Sequence, residues 1–171
     1  MKIIAHLTIL CLLSFTSSTL SLASTTGKMP LPYNTAVGIR LGGTEGLTLK
    51  QNLGGSHAIE GIIGFRPYGM GITVLYEWTQ STSHPAFQWY YGVGGHLGWG
   101  TDRNYYYNKD RKRYPYRRYA NLGIDGILGV EFKIPEAPIA LSLDIKPSID
   151  FYRSYSSRMY LDPGLGIKVV F

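Results

Sequence analysis

From position 33 onward, apolar residues recur at every second position in one run after another, and this period of two constrains the chain more than any other feature. Alternation sorts side chains onto the two faces of a strand, whereas a helix needs a period near 3.6. Helical spacing is almost absent here. The clearest stretch sets Ile139, Leu141, Leu143, Ile145, Ile149 and Phe151 against Ala140, Ser142, Asp144, Lys146, Ser148 and Asp150. Before it, Leu122, Ile124, Leu128, Val130 and Phe132 alternate with Gly123, Asp125, Gly129 and Glu131. Phe87, Trp89, Tyr91, Val93, Leu97 and Trp99 alternate in the same way with Gln88, Tyr90, Gly92, Gly94, His96 and Gly98. Eight such runs cover 33–42, 45–51, 56–65, 70–80, 86–100, 119–134, 138–152 and 159–171. Several exceed ten residues, which is long for a soluble sheet and suits a tilted strand crossing a bilayer.

The N-terminal 23 residues read differently. Lys2 is followed by a mostly apolar stretch from Ile3 to Phe15, then by small polar residues, and Ser21-Leu22-Ala23 fits a small-x-small cleavage site. The apolar run is shorter than a membrane-spanning helix needs. The expected organisation is a signal peptide at 1–23, a short linker at 24–32 and one barrel domain at 33–171. The single cysteine, Cys11, falls inside the leader, so the expected mature chain has no thiol for disulfides, metal ligation or catalysis. Without Lys2 the 17 basic residues fall to 16, against 11 acidic ones, a net charge of +5. The excess concentrates in 101–119, which argues for one locally basic loop and against a nucleic-acid-binding domain.

Alternation alone fits both a membrane barrel and a soluble barrel turned inside out. Three observations favour the first. The polar face mixes isolated charges of both signs with glycine: Arg40, Lys50, Lys133, Lys146 and Lys168 share it with Glu60, Glu77, Asp125, Glu131, Asp144 and Asp150. Glycines at 38, 64, 71, 92, 94, 98, 123, 129, 164 and 166 leave room for these side chains in an interior only one side chain deep. Buried charges need partners, and the near balance of signs allows pairing. Aromatics sort to two heights, with Tyr33, Trp78, Phe87, Trp89, Phe132 and Phe171 at one rim and Phe65, Trp99 and Phe151 at the other. Finally, the chain closes with Leu165, Ile167, Val169 and Phe171 at alternate positions. Pro147 and Pro163 run against the pattern, since each removes a ladder donor from a wall without free edges, and bulges or rim positions are the expected accommodation.

The terminal segment Leu161 to Phe171, together with the alternating runs from about 33 to 171, resembles the small eight-stranded outer-membrane β-barrel proteins of Gram-negative bacteria, the OmpA/OmpX-like type. The resemblance implies an all-β, antiparallel, up-and-down transmembrane barrel that resides in the outer membrane among lipids and lipopolysaccharide. It also implies that Leu165, Ile167, Val169 and Phe171 form the carboxy-terminal signal read by the outer-membrane assembly machinery.

Catalytic, cofactor and metal sites find no support in the sequence. His57, His84 and His96 have no Ser or second His at triad or ligand spacing, and the glycine pairs lie in or beside strands rather than before helices. The expected interior ion-pair network is Arg40, Glu60, Glu77, His96, Asp125, Glu131, Asp144, Lys146, Asp150 and Lys168. The one unusual surface is the long loop, where Tyr105, Tyr106, Tyr107, Tyr114 and Tyr116 interleave with Arg103, Lys109, Arg111, Lys112, Arg113, Arg117 and Arg118. These residues suit lipopolysaccharide phosphates or an acidic partner, while the simpler reading is that they neutralise an anionic lipid surface. A non-enzymatic envelope or surface-interaction role is expected. The alternatives are a lipid-A-modifying enzyme built around His96 and a secreted barrel carrying an apolar ligand.

Overall fold

The structure is a computed structural model describing residues 33–66, 69–102, 117–151 and 157–171. The leader at 1–23 and the linker at 24–32 lie outside the described residues. Eight strands form: β1 (Thr35–Gly42), β2 (Glu45–Gly54), β3 (His57–Arg66), β4 (Gly69–Ser81), β5 (Phe87–Asp102), β6 (Arg117–Lys133), β7 (Ile139–Phe151) and β8 (Ser157–Val170). Each pairs antiparallel with its chain neighbours, and β8 returns to pair with β1, so the sheet is a closed up-and-down barrel. The strand boundaries fall close to those the alternation predicts. The exception is β2, which runs on to Gly54 through a register shift between Asn52 and Gly54.

The register fixes the shape of the cylinder. Followed round the wall, Gly38 leads through Thr48, Ile62, Thr73, His96, Gly123 and Asp150 to Arg158, yet the β8 partner of Gly38 is Lys168, a displacement of ten residues (168 against 158). Ten residues of shear over eight strands tilts the strands by about 40°, within the usual range for closed barrels. The interior is then only wide enough for side chains. Both termini of the barrel and the turns at 55–56, 82–86 and 134–138 lie at one end, called here the near end. The opposite strand ends and the turn at 43–44 lie at the far end. There the wall stands tallest at β5 and β6, with 16 and 17 residues, and lowest beside the eight-residue β1.

The apolar face of every strand points outward and the polar face inward. Leu143 is 60% exposed while its neighbours Ser142 and Asp144 are buried, and β4 and β8 repeat the alternation. Two small apolar clusters lie inside: Tyr33, Ala36, Ala58, Ala140 and Val170 across the near end, and Ile62, Leu75, Tyr90 and Ile127 at mid-height.

Three expectations are corrected here. Tyr33 does not join the near rim. It precedes β1 and turns inward, where its hydroxyl donates to Glu131 Oε1 at 2.5 Å. Lys133 is half-buried at the end of β6, and its ammonium donates to the carbonyls of Ile134 and Ala137 in the near-end turn rather than joining the interior charges. The prolines need no bulge. Pro147 stays in register with Leu161 on β8, while the β6–β7 pairing skips Gly126 and Ile127 opposite Lys146 and Pro147. A glycine suits that gap, because a Cβ on Gly126 would stand 3.2 Å from Pro147 Cγ. Pro163 lies just beyond Gly42↔Gly164, the last pair of the β1–β8 ladder, and its carbonyl accepts from Gly43 N at 3.1 Å.

Candidate functional site: the ion-paired interior

All ten residues of the expected network are buried inside the barrel, and Lys50 lies there with them. Alternation explains their common direction. It does not explain their pairing, because the partners come from strands far apart in sequence.

Nearest the chain termini, Lys50 on β2 reaches across to Glu77 on β4 at 2.9 Å and Glu131 on β6 at 3.7 Å. Lys168 on β8 approaches Glu60 on β3 at 3.0 Å and Glu131 at 3.6 Å. Glu131 is a junction, since it also accepts from Tyr33 and, at 2.7 Å, from the Gln88 amide. The Glu60 carboxylate takes a further hydrogen bond from the Thr48 hydroxyl. Lys50 Nζ sits 4.3 Å from the Tyr90 ring centroid, where the aromatic face adds attraction for a desolvated cation.

At mid-height Arg40 gathers β1, β7 and β8. Its guanidinium meets Asp144 at 2.6 Å and both oxygens of Asp162 at 3.2 Å, and it donates to the Thr44 carbonyl at 3.0 Å. Its fork geometry matches several acceptors at once in a way that an ammonium cannot. Glycine makes the space, as the glycines on the polar face lead one to expect: a Cβ on Gly164 would fall 2.4 Å from Arg40 Cζ, and one on Gly129 would fall 2.5 Å from Tyr90 Cζ.

Towards the far end, Lys146 lies between Asp125 at 3.5 Å and Asp162 at 3.3 Å. His96 is held on both sides, with Nδ1 2.8 Å from Asp125 and Nε2 2.7 Å from Asp150. Asp150 also accepts from the Asn121 amide at 2.8 Å and the Tyr160 hydroxyl at 2.9 Å. The hydroxyl of Ser148 donates to Asp125, not to His96. A nucleophilic serine needs the reverse arrangement, with its oxygen facing an imidazole nitrogen. A cavity of about 20 Å³ beside His96 and Lys146, lined also by Thr44, Gly71 and Thr73, has room for about one water.

The near balance of charge expected from the alternation does not hold among the described interior residues. Glu60, Glu77, Asp125, Glu131, Asp144, Asp150 and Asp162 are buried with Arg40, Lys50, Lys146, Lys168 and His96, because Asp162 joins and Lys133 leaves. The sequence reading misses Asp162, although it shares the alternation of Gly164, Gly166 and Lys168. Gln88, Tyr90, Asn121 and Ser148 also serve the network as neutral donors.

The remaining sequence candidates divide. Leu165, Ile167 and Val169 lie on the outer wall, and Phe171 is 71% exposed at the near rim, where its amide donates to Thr35 O. Arg103, Tyr105, Tyr106, Tyr107, Lys109, Arg111, Lys112, Arg113, Tyr114 and Tyr116 lie outside the described residues, as do the side chains of Arg117 and Arg118. On the outer wall near that rim, Trp78 stacks on Tyr91 at 5.5 Å, Tyr91 on Trp89 at 5.5 Å, and Tyr76 bonds to His57 Nδ1 at 3.1 Å. No group of three or more His, Cys, Asp or Glu residues is arranged so that it could hold a metal ion among the described residues. Comparison of the chain with known protein families, with curated proteins and with solved structures finds no match.

Proposed function

We propose that this chain is a non-enzymatic integral protein of a bacterial outer membrane, exported through a cleaved leader, with an ion-paired interior that plugs the barrel. It serves envelope structure or surface interaction through the basic, tyrosine-rich segment 101–119. The observation that carries this reading is the inversion of the barrel. Val93, Leu97, Leu122, Ile124, Leu143 and Leu161 are all more than half exposed on the outer wall, while the charged side chains are enclosed. A monomer in water rarely exposes a contiguous apolar patch above a few hundred Å². In hydrocarbon the same surface is satisfied, and closure leaves no backbone edge unpaired there. Along β7 the outward residues from Ile139 to Phe151 span about 30 Å of wall after allowing for tilt, close to the hydrocarbon thickness. An interior lined by paired charges also weighs against an apolar-ligand carrier, and a His96 whose two nitrogens both face carboxylates weighs against the enzyme reading.

Cell fractionation with and without boiling tests the proposal. The protein is expected in the outer-membrane fraction, with faster gel migration before heating than after it. A soluble periplasmic band whose mobility ignores heating would reject the proposal.

A further inference from the structure

We infer that Asp162, Arg40 and Gly164 form a register lock that sets the alignment of β1 with β8, the one seam of the barrel whose two strands are not consecutive in the chain. The other strand pairs are joined by chain connections, whereas β1 and β8 meet only through space. Alternation cannot choose their register. A slip of two residues keeps every apolar side chain outward, so Ile39 could face Leu165 or Val169 as well as its actual partner Ile167. Something specific must select ten residues of shear, and contacts across this seam are placed to do so.

The constellation does so sterically and by charge. Arg40 pairs with Gly166, and its side chain runs over Gly164, which has no Cβ in its way, to reach Asp162. Asp162 in turn holds the β1–β2 turn: its Oδ1 accepts from Thr44 N at 2.9 Å and its Oδ2 from Thr44 Oγ1 at 2.5 Å. A slip that sets Arg40 opposite Gly164 drives the guanidinium into the position of the Asp162 side chain. The opposite slip sets Arg40 against Lys168 and lays its guanidinium over Gly166, where Ser142 Oγ already stands 2.2 Å from a Cβ position. Each slip also removes the carboxylate from the Thr44 amide. This inference concerns closure of the wall and holds whether that wall faces lipid or water.

Cysteine pairs report the seam directly. In the full chain carrying Cys11→Ser, three double variants place cysteines at Ile39 with Leu165, Ile167 or Val169, and disulfides are scored on all chains after oxidation. With the lock intact, only the Ile39–Ile167 pair is expected to crosslink. Asp162→Ala, and Arg40→Lys, which keeps the charge but loses the fork, are expected to raise the slipped pairs relative to the native pair by about tenfold, the scale of one lost charge-assisted contact. His96→Gln, which breaks buried pairs among β5, β6 and β7, serves as control and should leave the ratio unchanged. An unaltered ratio in both lock variants overturns the inference, as does an equal shift in the His96→Gln control.

Discussion

Lys50→Met is expected to destabilise the barrel by about 3–5 kcal/mol, the range for removing one partner of a buried ion pair. Lys50 and Glu77 are both 0% exposed, and Lys50 is also within 3.7 Å of Glu131, so methionine strands two carboxylates in a space without solvent. Methionine fills similar volume, so the loss reports charge rather than a cavity. Adding Glu77→Gln removes one of the stranded charges and is expected to recover much of the loss. The double-mutant cycle then measures the coupling of the pair. Urea unfolding of the detergent-folded protein, followed by tryptophan fluorescence, gives both numbers. A Lys50→Met protein within 0.5 kcal/mol of the parent, the usual range of a surface change, would mean that Lys50 is hydrated.

Leu143→Arg is the second large effect, and its size depends on what touches the outer wall. Leu143 stands between the two rims on β7, with Ser142 and Asp144 turned inward beside it. An arginine near the middle of a bilayer costs about 2–4 kcal/mol on a barrel wall. In water the same change replaces an exposed leucine by a soluble side chain and should move stability by no more than about 0.5 kcal/mol. Refolding equilibria in lipid vesicles check this. Glu136→Arg in the near-end turn, also exposed, should be close to neutral in either setting.

Much of this structure is legible in the order of residues, and the reason is the period of two. Alternation is a local property, so it fixes each strand and the direction of each side chain without knowledge of neighbours. Lys50, Glu77 and Glu131 are therefore recognisable as inward-facing from their own strands. Their pairing is not, because it depends on the register of three separate strands and on the ten-residue shear set where β1 meets β8. Tyr33 is misread for a related reason. It precedes the first strand residue, Thr35, where the ladder no longer dictates side-chain direction, and a hydrogen bond to Glu131 draws it inward. Asp162 is hidden by its neighbour Pro163, which interrupts the strand pattern although the ladder to β7 continues through it. The glycines carry a legible signal of another kind: at Gly123, a Cβ would lie 2.3 Å from the His96 ring, so the gap in the alternation marks where a large partner sits.

The central claim is that the apolar wall touches acyl chains, and the native tryptophans test it without mutation. The chain has three, Trp78, Trp89 and Trp99, all on the outer wall near its rims. In vesicles of brominated lipids their fluorescence should be strongly quenched, more by bromines placed near the headgroups than by bromines at the bilayer centre. Emission untouched by brominated chains but quenched by aqueous iodide would contradict a lipid-facing wall.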